Sequence, residues 1–212
     1  MPAPTALIAV AASLSEASAA VSAGADLVEL TGIDAGGAGP GDAERRAIAA
    51  FRARHPGVQV CAAGGAADLV RRRDVALATG AMLICGDPGA ARASGLPASQ
   101  VIVEVMPDGV KGAAEAGWAA LVDVDRAAWL AAGPAGDRPA GDRPASDQPA
   151  SDQPAGDQPD EVAGIVAIAA ISSWLGAAAV RTRYPLQVRR ALDMAASILG
   201  ARPPALTVRG LA

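Results

Sequence analysis

Short β-branched and leucine-rich runs recur along the chain, each followed by an alanine-rich stretch with helical spacing of its apolar positions. The runs lie at 6–12, 27–31, 58–62, 82–85, 101–105, 119–124 and 178–182, which predicts seven strands. Helix-like spacing covers 15–23, 42–54, 67–79 and 186–199, with Asp42 as an expected cap and Gly200 as an expected stop. Residues 162–180 are uncharged and long enough for a membrane helix, but they are mostly alanine, glycine and serine. A buried helix followed by a strand fits them better, and no membrane partner is expected. Continuous near-apolar strands alternating with helices predict an α/β chain wound around a parallel sheet or barrel.

One segment breaks the pattern. From Pro134 the pentad Pro-Ala-Gly/Ser-Asp-Arg/Gln repeats five times, and Pro159 opens a sixth. A proline every fifth residue interrupts both helix and sheet bonding, and small polar residues offer nothing to bury, so 134–159 is expected to be a disordered, low-complexity insert within a single domain spanning 1–212.

Composition changes this picture little. The chain is 51% hydrophobic and 19% charged with a formal charge of −4, which fits a globular protein. Its arginines come in scattered pairs and a triplet, not in one stripe, so no nucleic-acid surface is expected. Cys61 and Cys85 are the only cysteines and His55 the only histidine, too few for a disulfide scaffold or a His/Cys metal cluster. No basic residue precedes the apolar N-terminal stretch as a secretory leader would require, and a cytoplasmic location is expected.

The chemistry concentrates near strand ends. Arg181 stands where the last strand hands over to a helix opened by Pro185, a place suited to holding a phosphate or carboxylate. Of Arg181 and Arg183, one is expected at the mouth of the sheet and the other against the helix layer. Cys61 and Cys85 fall on adjacent strands, either as a thiol pair or as two small apolar fillers. Asp123 and Asp125 are read as sharing one face, where paired carboxylates have donors for Mg2+. Gly36 to Gly41 lacks the spacing and the lysine of a nucleotide loop.

Several of these segments together resemble the dihydropteroate synthase (pterin-binding) family. Gly176-Ala-Ala-Ala-Val-Arg-Thr-Arg-Tyr is similar to that family's eighth-strand Gly-Ala-x-x-Val-Arg-Val-His-Asp. Ser22-Ala-Gly-Ala-Asp-Leu-Val-Glu-Leu-Thr-Gly resembles its second strand, Gly95-Leu-Pro-Ala-Ser-Gln-Val-Ile-Val-Glu its sixth, and Leu121-Val-Asp-Val-Asp-Arg-Ala-Ala-Trp-Leu its seventh. The resemblance implies a TIM-type (β/α) barrel, incomplete, of about seven strands, with the family's fifth strand and its flanking helices missing between Asp87 and Gly95.

The family joins a pterin diphosphate to p-aminobenzoate. The resemblance implies that the substrate-binding positions are Arg181, Arg126, Glu104, Cys61, Cys85 and Arg183. At these, acid and asparagine have become Cys61 and Cys85, and histidine has become Arg183, while Glu104 keeps the charge on a longer arm. The seventh-strand lysine falls on Ala127. Losing several ring partners at ~1–3 kcal/mol each implies a homologue without efficient synthesis. Such a protein would bind a pterin-like or phosphorylated small molecule, or associate with a true synthase, and the late apolar helix implies a homodimer. A working transferase and an unrelated structural α/β protein are the alternatives.

Overall fold

The computed structural model describes residues 4–31, 40–62, 68–132 and 159–201. Its seven strands are all parallel and close into a barrel in chain order. They are β1 (Ala6–Ala11), β2 (Leu27–Leu30), β3 (Gln59–Ala62), β4 (Met82–Cys85), β5 (Val101–Glu104), β6 (Ala119–Asp123) and β7 (Ala179–Thr182). Closure is made by β7 against β1, where Ala6 pairs with Ala179 and Ile8 with Arg181. The helices are α1 (Leu14–Ser22), α2 (Pro40–Arg54), α3 (Leu69–Thr79), α4 (Pro88–Ala93), α5 (Val110–Glu115), α6 (Val124–Ala131), α7 (Pro159–Trp174) and α8 (Pro185–Ile198).

The period of two along each strand explains both faces of the wall. One residue from every strand meets in a single apolar layer inside the barrel: Ile8, Leu27, Cys61, Ile84, Ile102, Leu121 and Ala179. Their neighbours point outward and pack under the helices. Leu7, Val122 and Val180 share a cluster with Ile165 of α7 and Val188 and Leu192 of α8. Val28 and Val60 pack with Ile48 and Phe51 of α2, and Leu83 and Val103 with Ala91 of α4.

Between β4 and β5 the described chain holds α4 and one short turn, so the expected absence of a strand there matches the structure, whereas the expected absence of helices does not: Asp87 caps a six-residue helix, Pro88–Ala93, in that stretch. Ser13 caps α1 by accepting from the Glu16 amide at 3.1 Å, and Asp87 caps α4 by accepting from the Ala90 amide at 2.8 Å. Asp42 is not a cap, because α2 starts two residues earlier, at Pro40, and leaves Asp42 in the first turn. Pro159, which opens the sixth pentad in the sequence, also opens α7, a first-turn position that proline's missing N–H suits. The pentads from Pro134 to Gln158 lie outside the described residues, between α6 and α7. Among the described residues, no helix is long and apolar enough to cross a membrane.

Candidate functional site

One step up from the apolar layer, the same inward-facing positions become charged. Leu27 is followed two residues later by Glu29, Ile102 by Glu104, Leu121 by Asp123 and Ala179 by Arg181. Four strands therefore deliver three carboxylates and one guanidinium to the carboxyl-end mouth of the barrel, the face on which such folds carry their sites.

Arg181 lies at the centre. Its Nε and Nη2 donate to Asp123 Oδ2 at 3.2 and 2.6 Å, and its Nη1 donates to Glu29 Oε2 at 3.4 Å. Glu104 Oε2 stands 3.2 Å from Nη2. The Arg181 side chain is 14% exposed and that of Glu29 7%. Arg126, more exposed, leans on Glu104 from the rim at 3.4 Å. Asp123 also works on its own helix, where Oδ1 accepts from the Arg126 amide at 3.0 Å and caps α6.

Burial and charge pull against each other here. Burial acts to lower the Arg181 value, but Glu29, Asp123 and Glu104 outweigh it and drive it upward, so the guanidinium stays charged. Burial pushes Glu29 above the ordinary carboxylate range, with Arg181 opposing. Arg72 of α3 is also buried, donates to the Ile84 carbonyl and is felt by Glu29.

The two cysteines part company. Cys61 sits in the inner layer beside Glu29 on β2, and burial pushes its thiol far up, out of the reactive range. Cys85 faces the other way, among Ala76, Leu83, Ala91 and Val103 under the helices. The thiol-pair reading fails because successive strand residues alternate faces, and Cys61 and Cys85 fall on opposite ones.

Asp123 and Asp125 do not share a face either. The strand ends at Asp123, so Asp125 belongs to the first turn of α6 and turns away from the mouth. It accepts from Thr182 Oγ1 at 2.6 Å and from the Arg183 amide at 2.9 Å, tying α6 to the end of β7. Burial raises its carboxyl, and those two hydrogen bonds oppose the rise. Arg183 points to the helix layer, where it meets Asp125 at 3.2 Å and Glu161 at 3.7 Å. Among the described residues no group of three His, Cys, Asp or Glu side chains is arranged to hold a metal ion.

The mouth thus gathers Arg181, Glu104 and Arg126, with Cys61 below them, and leaves out Cys85 and Arg183. It adds Glu29, which in the sequence stands out only as part of a strand. A carboxylate in an otherwise apolar Leu-Val-Glu-Leu run, two residues beyond an inward leucine, is the signal that marks it.

No protein-family model and no curated protein sequence matches the chain. Solved structures do. Rv1207 of Mycobacterium tuberculosis superposes with a TM-score of 0.62 at 17% identity, over 95% of each chain. Dihydropteroate synthase from Stenotrophomonas maltophilia, solved with imidazole in its active site, gives 0.57 at 15%, over 94% of each chain. The Xanthomonas albilineans enzyme in complex with 7,8-dihydropteroate gives 0.59 at 13%, again over 94% of each chain. The chain has the dihydropteroate synthase fold. At these identities the likeness is one of architecture, and it supports the family resemblance carried by the strand-end motifs.

Proposed function

We propose that this chain is a cytoplasmic, non-catalytic dihydropteroate-synthase-like protein whose barrel mouth binds a pterin-like ring. The observation that carries the reading is the state of Arg181, enclosed by Asp123, Glu29 and Glu104 instead of facing an open pocket. A transferase of this fold needs cationic groups free to receive the departing diphosphate. Here the strand-end arginine is engaged, and Ala127, where the resemblance expects lysine, is buried in the outer core. Carboxylates at strand ends still suit the amino-pyrimidine edge of a pterin, which donates hydrogen bonds.

Pairing with a second copy or with a true synthase is part of the same proposal. α7 and α8 end on the opposite side of the barrel from the mouth, and there they expose Ile171, Trp174, Met194 and Ile198. Complementation in cells lacking the synthase tests the catalytic half of the reading. No growth is expected without folate end products, and growth would make the chain a working transferase.

A further inference from the structure

An arginine that ends a barrel strand just before a helix N-terminus is placed to bind an anionic group. β7 ends at Thr182 and α8 begins at Pro185, so Arg181 has that position. Its charge, however, is already committed. Asp123 takes two of its hydrogen bonds through Oδ2, while Oδ1 of the same carboxylate is fixed by the cap of α6. The acid is therefore anchored independently of the arginine it holds. Glu29 and Glu104 complete the enclosure, and Arg126, the rim cation, leans on Glu104.

We propose that Asp123 is the specificity-determining residue of the mouth: by holding Arg181 it withdraws the strand-end guanidinium from ligands, so the mouth accepts an unphosphorylated heterocycle and rejects its phosphorylated form. The inference rests on the reading that the mouth binds a pterin-like ring. A diphosphate entering here meets three carboxylates, and the guanidinium of Arg181 is already shared among them. Like-charge juxtaposition of this kind selects against a partner more strongly than it weakens a neutral one.

Asp123→Asn is the informative variant. Asparagine caps a helix about as well as aspartate, so α6 keeps its first turn. Arg181 keeps Glu29 and Glu104, so no buried charge is orphaned. Calorimetric titration of both proteins uses three probes: 6-hydroxymethylpterin, its diphosphate and inorganic pyrophosphate. The wild-type protein is expected to bind the pterin about ten-fold or more tighter than the diphosphate and to show no heat with pyrophosphate. The variant is expected to gain about ten-fold or more for both anions, narrowing the preference for the pterin over its diphosphate. Pyrophosphate binding to the wild-type protein, or no gain of either anion in the variant, overturns the role given to Asp123. If neither protein binds pterin but only the variant binds pyrophosphate, the pterin reading falls and the role of Asp123 stands.

Discussion

Arg181 is 14% exposed and is the common partner of three acids, so its loss should be felt well beyond its own contacts. Arg181→Ala leaves Asp123 and Glu29 as buried carboxylates without their cation, a situation that costs about 3–5 kcal/mol. Urea denaturation should show that loss as a lowered midpoint with little change in slope. An unaltered midpoint would mean that the carboxylates find other partners. Glu29 adds a pH dependence of its own. Because burial raises its pKa, the folded protein holds this proton to higher pH than the unfolded chain does. Its contribution is complete below the ordinary value of 4.5 and is lost as pH rises through the higher folded value. Asp125 is raised for the same reason and acts in the same direction. Glu29→Gln should therefore flatten the fall in unfolding free energy as pH rises above about 4.5, and an unchanged slope would place the titration elsewhere.

Among the elements, two glycines give opposite expectations. Gly24, between α1 and β2, has φ +96°, and a Cβ there would meet Arg189 Cγ at 3.1 Å. That arginine donates to the Gly24 carbonyl at 3.0 Å and pairs with Asp26, whose Oδ2 also accepts from the Leu7 amide. Gly24→Ala combines a strained backbone with a displaced Arg189 and should cost about 1–3 kcal/mol. Gly112 sits inside α5 with open space where a Cβ would go, so Gly112→Ala should stabilise by roughly 0.5–1 kcal/mol. Thermal denaturation of the pair decides both, and equal shifts would remove the conformational argument. The same physics decides what is legible in the sequence. All seven strands are readable because each is buried on both faces, which leaves an unbroken apolar run bounded by helix signals. α4, α5 and α6 are not, since six to eight alanine-rich residues are too few to display a period. At the mouth, Arg181 and Glu104 are legible from their place at strand ends. The enclosure of the arginine is not, because it depends on Glu29 of β2, which reaches Arg181 only once β7 closes against β1, the strand that lies between them.

For the molecule as a whole, α7 is the element least explained by the barrel it covers. It is apolar on nearly every side, yet only part of it is buried. Ile165 and Ala169 are fully buried against the outer wall, whereas Ile171 is 50% and Trp174 62% exposed. α8 packs beside it and brings Met194 and Ile198, also exposed, to the same end. A helix that is hydrophobic all round normally lies between two partners, and large exposed side chains gathered at one end mark an interaction surface. The proposed pairing would cover them with a second copy related by a two-fold axis, burying roughly 800 Å² on each side if the interface is of ordinary size. Sedimentation equilibrium at about 10 μM or above should then report a dimer, since an interface of that size commonly holds at micromolar concentration. Ile171→Glu with Trp174→Glu should yield a monomer with unchanged far-ultraviolet circular dichroism, because neither side chain supports the core. A wild-type protein that sediments as a monomer under those conditions would overturn the pairing with a second copy.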